Sequence, residues 1–188
     1  PGPATVTGGG AASRDDRLST ALTPPAAAPP GVCACVGDDI DMSAAPGLVD
    51  IKQGGRTIPA LATVGKGGYM FILDRTTGKP VFGVEERPVP KGDVPGEWYS
   101  PTQPFPVKPP ALAKTSFKKE DMVTAADTTA EHVMNCQALW DKSGGFYNAG
   151  PFTPFNFHEE GAPPKSTIQF PGGTGGVNWG GAAADPST

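Results

Sequence analysis

The stretch VGKGGYMFILDRTTGKPVF, residues 64–82, decides the architecture of this chain. Tyr69–Leu73 is apolar and rich in β-formers, so it reads as a strand. It is entered through Gly65–Gly68 and left through Asp74–Lys79, where Asp, Thr and Gly at fixed offsets form a turn with its own local hydrogen bonding. Working outward on the N-terminal side, Thr57–Val64 is a second strand, Gln53–Gly55 a tight turn, and a further strand runs up to Ile51. On the C-terminal side, Val81–Val84 is expected to be a fourth strand. Four short antiparallel strands in succession make one meander. The form D-x-x-T-G-x-x-x-aromatic, on Asp74, Thr77, Gly78 and Phe82, suits a blade of a radial propeller, in which each blade has four strands.

Away from this meander the chain is unlike an ordinary globular core. Of 188 residues, 26 are Gly and 23 are Pro, about a quarter, while hydrophobic residues make up 37%. A net charge of -4 provides no basic footprint, which sets nucleic acid aside as a partner. No apolar run approaches the roughly 20 residues needed to cross a bilayer as a helix. The chain starts at Pro1 with no charged segment leading into an apolar one, so a signal peptide is expected to be removed or to lie outside it. Three cysteines, Cys33, Cys35 and Cys136, spell no disulfide framework.

Residues 1–43 read as an irregular Gly/Ala/Pro-rich segment and residues 44–188 as the folded part. Within the latter, Arg87–Pro110 carries so many prolines that it is expected to be a packed loop rather than strand. The clearest helix lies in TTAEHVMNCQALWDKSGG, with Thr128 and Glu131 as a capping box and Ala130, Val133, Gln137 and Trp140 on one stripe. Gly144 suits its C-terminal cap. Thr167–Phe170 is expected to be a short strand. Neither a dinucleotide fingerprint nor a phosphate loop occurs, and there is no nucleophile elbow. His132 and Cys136 share a helix face, but nothing brings Cys33 and Cys35 to them, and His158 beside two glutamates reads as a surface histidine.

The motifs GKGGYMFILDRTTGKPVFGVEERPVPKGDVPGEW, SPTQPFPVKPP, SGGFYNAGPFTPF and GGVNWGGAAADP, with a likeness running from about Ala44 to Thr188, carry a family resemblance. The chain resembles the quinoproteins, dehydrogenases dependent on pyrroloquinoline quinone (PQQ), and among them the membrane-type glucose dehydrogenase branch. That resemblance implies an all-β fold: about two to three four-stranded blades of an eight-bladed propeller, with a loop-plus-helix insertion over about residues 87–165. It implies oxidation of a sugar such as glucose, or of an alcohol, with PQQ and Ca²⁺ or another divalent or trivalent ion. Electrons would pass to a quinone or a cytochrome, in the periplasm and in association with the membrane.

The resemblance also carries residues. Lys66, directly before the YMFILDR strand, falls where the family places a lysine on the quinone oxygens. A fixed ammonium in a dry site stabilises the negative charge that forms there. Asn178 and Trp179 match an Asn-Trp pair that lines the cofactor site. Counting back from Lys66, the family's catalytic base falls on Asp39, which would take the substrate's hydroxyl proton. Asp41 fits the acidic position after it, and Asp39 and Asp41 are the expected metal ligands. Here the sequence departs from the family: Asp38 replaces a tryptophan, and a preceding pair of histidines is missing. The family's other metal-binding Glu and Asn come from blades outside this chain. The competing expectation is a non-catalytic propeller fragment that self-associates or binds another protein through open sheet edges.

Overall fold

The computed structural model describes Met42 and residues 44–185. Asp38, Asp39 and Asp41 lie outside the described residues.

Two hairpins in series build the main sheet. Strands β1 (Gly47–Gln53), β2 (Arg56–Val64) and β3 (Met70–Asp74) are antiparallel in the order β1-β2-β3. Gln53 pairs with Arg56 across Gly54 and Gly55, whose φ angles are 57° and 76°. Positive φ at both central residues is the two-residue turn that matches the twist of its strands, and only glycine adopts it twice without strain. The register sets Thr63 opposite Phe71 and Leu61 opposite Leu73. Leu73 and Val64 are 1% exposed and Ala60 is 0% exposed, so the core lies where β2 and β3 run side by side.

The turn after β3 forms as its residues predict. Asp74 Oδ1 accepts from Thr76 N at 2.7 Å, Thr76 Oγ1 at 2.6 Å and Thr77 N at 3.3 Å, and Gly78 N donates to the Asp74 carbonyl at 2.7 Å. Gly78 has φ 72°. The expected fourth strand at Val81–Val84 does not form. The return is a single bridge, Leu73 to Pro80, flanked by bonds from Asp74 N to Lys79 O and Val81 N to Ile72 O, both 2.8 Å. Pro80 sits on the pair between these bonds, where an N–H would point away from β3, so it is tolerated there, and the chain leaves the sheet through Gly83, φ 85°.

The expected packed loop contains a second sheet. β4 (Val84–Pro88) and β5 (Thr102–Pro106) pair antiparallel, with Glu86 opposite Pro104 and Val84 opposite Pro106. Just beyond the ladder, Val89 N donates to Pro101 O at 3.1 Å and Val107 N to Gly83 O at 3.2 Å. Hydrogen-bonded pairs therefore fall on odd-numbered residues, and the prolines within the ladder, Pro88, Pro104 and Pro106, fall on the pairs between, where an N–H would point away from the partner; Pro101, just outside it, serves only as an acceptor. Proline at alternate positions is thus compatible with a two-stranded ribbon.

The helix, α1, spans Ala130–Lys142. Its N-cap is Thr129, whose side chain accepts from His132 N at 3.2 Å. The expected capping box on Thr128 and Glu131 is thus displaced by one residue and lacks its acidic arm. The C-terminal end closes as expected: Gly144 (φ 71°) donates to Asp141 O at 3.2 Å and Gly145 to Trp140 O at 2.9 Å, the paired bonds of a Schellman motif. Val133, Cys136, Gln137 and Trp140 are half-buried. β6 (Phe146–Tyr147) pairs parallel with β7 (Ser166–Thr167), so the strand expected at Thr167–Phe170 is shorter and earlier.

Candidate cofactor site

Lys66 stands in the five-residue link from β2 to β3. Gly68 N donates to Gly65 O at 3.0 Å and Gly68 has φ 75°, which folds the link into a tight turn. Gly65, Gly67 and Gly68 are buried and Lys66 is half-buried. A side chain at Gly68 would meet Ala113, whose Cβ lies 3.0 Å from the position a Cβ would take there, and Leu112 N donates to Gly68 O at 2.7 Å. The segment leaving the proline-rich ribbon therefore packs on the lysine turn.

A third segment joins them from the C-terminal side. Gly176 N donates to the Lys66 carbonyl at 2.7 Å, and Gly175 N closes back on Gly172 O at 2.7 Å. Asn178 and Trp179 follow directly. Asn178 Nδ2 donates to Thr174 O at 2.9 Å, its Oδ1 accepts from Trp179 N at 3.0 Å, and Gly181 N donates to its carbonyl at 3.0 Å. The Asn178 amide is thus engaged in shaping its own loop. Trp179 is 82% exposed, and its indole stands out from that loop. Beyond it, the position a Cβ would take at Gly181 lies 3.5 Å from Ala45 O and 3.9 Å from Ala44 Cβ, so the loop also meets the chain that leads from Met42 into β1.

The loop that carries Asn178 and Trp179 is therefore joined to the lysine turn through Gly175 and Gly176, while Asp39 and Asp41 lie outside the described residues. Among the described residues, no group of three or more His, Cys, Asp or Glu side chains is arranged to hold a metal ion.

Next to the lysine turn sits an aromatic cluster that sequence reading missed. Tyr69 is edge-on to Phe105 at 5.4 Å and stacked with Phe152 at 6.1 Å, and Phe105 and Phe152 are edge-on at 5.5 Å. Arg87 lies over Phe105 at 5.0 Å. Burial pushes the Tyr69 phenol above its ordinary pKa, against the opposing pull of a Thr115 hydrogen bond and the Arg87 charge. Phe152 has φ 58°, a left-handed conformation unusual for an aromatic residue. The rings at 105 and 152 lie within SPTQPFPVKPP and FYNAGPFTPF, so the aromatic spacing of those two motifs was the available signal.

A separate groove of about 490 Å³ is lined by Lys91, Asp93, Trp140, Tyr147, Asn156 and Lys165 among others. Lys66, Asn178 and Trp179 take no part in it. The Asn156 Nδ2 atom is buried without a hydrogen-bond partner, while Asn156 N donates to Thr167 Oγ1 at 2.9 Å. His158 Nε2 is held at 2.9 Å from Ala162 O, a local loop contact.

Comparison with known proteins gives a consistent result. Residues 38–188 match the model of the PQQ β-propeller domain of glucose, ethanol and alcohol dehydrogenases. A quinate/shikimate dehydrogenase (quinone) of Acinetobacter baylyi is 37% identical over 79% of this chain and 17% of its own length. The glycerol dehydrogenase large subunit of Gluconobacter thailandicus is 36% identical over 80% of this chain and 19% of its own. A quinoprotein glucose dehydrogenase of Escherichia coli is 33% identical over 79% of this chain and 17% of its own. The chain thus spans less than a fifth of the length of these curated relatives. No solved structure matches.

Proposed function

This chain belongs to the PQQ-dependent glucose, ethanol and alcohol dehydrogenase β-propeller family, and from that premise we propose that it forms one wall of a quinoprotein site that oxidises a sugar or polyol hydroxyl. The observation that carries the reading is the 2.7 Å bond from Gly176 N to Lys66 O, which joins the lysine turn to the Asn178–Trp179 loop. A cation, an amide-braced loop and an exposed indole at one junction are a donor set that suits a flat, polyanionic quinone.

In this reading Lys66 and Trp179 hold the cofactor, and Asn178 keeps the indole in place. PQQ would supply a two-electron acceptor for the hydride lost from the alcohol carbon, and a divalent ion such as Ca²⁺ would supply Lewis acidity beside it. Lys66 offsets the negative charge that gathers on the acceptor oxygen. Asp39 would take the hydroxyl proton, and Asp39 with Asp41 would hold the divalent ion. The names of the relatives support glucose, glycerol or quinate as substrate types, and a quinone as electron acceptor in at least one of them. A periplasmic, membrane-associated setting follows from the same reading.

The test is a titration of the purified chain with PQQ and Ca²⁺, following tryptophan fluorescence, with dye reduction by glucose and glycerol as a second readout. Saturable quenching that disappears in Lys66→Ala and in Trp179→Ala is expected. Quenching that is absent in the wild type, or equal in all three proteins, contradicts the proposal.

A second reading, a non-catalytic module, is favoured by one observation: among the described residues β1 pairs only with β2. A propeller segment with an open β1 margin would associate with another copy edge to edge. Sedimentation velocity over a hundredfold range of concentration distinguishes it, a dimer supporting this reading and a monomer at all concentrations opposing it.

A further inference from the structure

The run GGTGG, residues 172–176, contains two different kinds of glycine. At Gly172 and Gly173 an added Cβ would meet nothing within 4 Å. At Gly175 it would lie 2.6 Å from Lys66 Cγ and 2.7 Å from both its Cα and its Cβ. At Gly176 it would lie 2.6 Å from Ala113 Cβ, 3.0 Å from Pro171 Cγ and 3.1 Å from Gly68 Cα. Atoms that close overlap, so these two positions require glycine for contact and not merely for flexibility. Gly175 also has φ 97°, a conformation that a side chain would strain.

The contacts at Gly175 are with the root of the Lys66 side chain, Cα through Cγ, while Gly176 N holds the carbonyl of the same residue. Lysine has four flexible bonds, and an ammonium on an unconstrained stem samples many positions. Here one backbone segment bears on the first of those bonds and grips the peptide beside it. Lys66 itself is in the turn, whereas Gly175 and Gly176 belong to the loop that carries Asn178 and Trp179. The two elements therefore cannot shift independently.

We propose that Gly175 and Gly176 are positioning residues that set where the Lys66 ammonium stands and couple it to the indole of Trp179. The proposal rests on Lys66 being the cofactor-facing cation. Its mechanical part stands on contacts that require no ligand, which keeps the two claims separable.

The experiment compares Gly175→Ala with Gly173→Ala in the full chain, without cofactor. Each lysine's rate of acylation by an amine-reactive ester is read by peptide mass spectrometry. In Gly175→Ala the rate at Lys66 should rise about fivefold, the factor that small biases in a marginal equilibrium produce, while Lys52 and Lys79 stay at wild-type rates. In Gly173→Ala all three lysines should be unchanged. General loosening of the fold would also speed amide exchange at the buried Phe71 and Leu73 of β3, so a rise at Lys66 accompanied by faster exchange there overturns the proposal, as does an unchanged Lys66.

Should Gly175→Ala fail to fold, amide exchange in the wild type decides. The Gly176 amide should be protected by at least about tenfold over that of Gly173, since it alone of the two donates to Lys66. Equal exchange overturns the proposal. A final arm adds PQQ. If Lys66 responds as described but the wild type shows no quenching, the positioning role holds and the quinoprotein reading of this chain fails. If quenching occurs, its midpoint should move about tenfold in Gly175→Ala even though Lys66 keeps its charge.

Discussion

Asp93 and Lys165 meet as an ion pair between positions 72 residues apart, and the same carboxylate accepts from Phe157 N at 2.7 Å. The Lys165 hydrogen bond first, and the Phe157 N–H second, hold the Asp93 carboxyl below its ordinary value of 3.8. A carboxyl with a lowered folded-state pKa stabilises the protein above the unfolded value, and this contribution disappears as pH falls through the folded one. Thermal unfolding followed from pH 7 to pH 2.5 should show Asp93→Asn less stable than the wild type at neutral pH, with the two curves converging in acid. Salt should narrow the difference, because both side chains are about half exposed.

Gly78 is the left-handed corner of the turn after β3, and nothing lies within 4 Å of where a side chain would begin. Gly78→Ala meets no steric obstacle, so it should cost only the backbone term of about 1 kcal/mol. Urea unfolding should therefore show a lower midpoint with an unchanged slope. A much larger loss would mean that the turn does more than reverse the chain.

Thr129 caps α1, and its neighbour does not. Thr129→Ala should cost about 1 kcal/mol, the usual effect of losing an N-cap. Thr128→Ala should stay within about 0.5 kcal/mol, as a surface change does. Amide exchange over the first turn of α1, rather than global stability alone, is the measurement that separates the two.

Phe105 is 7% exposed and makes edge contacts with both Tyr69 and Phe152. Phe105→Ala should destabilise by about 3–4 kcal/mol, in the range of buried Phe truncations. Because Tyr69 belongs to the same cluster, its phenol should become better hydrated, and its absorbance titration should move down toward the ordinary pKa.

The parts of the fold that were legible in the sequence are those in which local chemistry decides. Gly54 and Gly55 specify one hairpin, Asp74, Thr77 and Gly78 mark one turn, and Gly144 closes one helix, with Thr76 and Gly145 added by the structure. Each works through hydrogen bonds within a few residues. The β4–β5 ribbon is illegible in the sequence because a run of prolines argues against strand. Its actual constraint concerns only which way the missing N–H points, and that depends on a partner fourteen or more residues away. Thr128 and Thr129 were equivalent as letters, and only the helix start separated them. The motif match named Lys66, Asn178 and Trp179 one by one, whereas the glycine contacts that set the loop of Asn178 and Trp179 against the lysine turn are visible only as distances.

Pro104 and Pro106 occupy the outward-pointing positions of β5, where a neighbouring strand would look for donors. That margin offers carbonyls alone over its last turn of pleat, which makes it a finished border, closed to further weaving. An open margin remains on the other sheet at Gly47–Gln53, which among the described residues pairs only with β2. Any larger assembly built from this chain inherits a direction from two missing hydrogens.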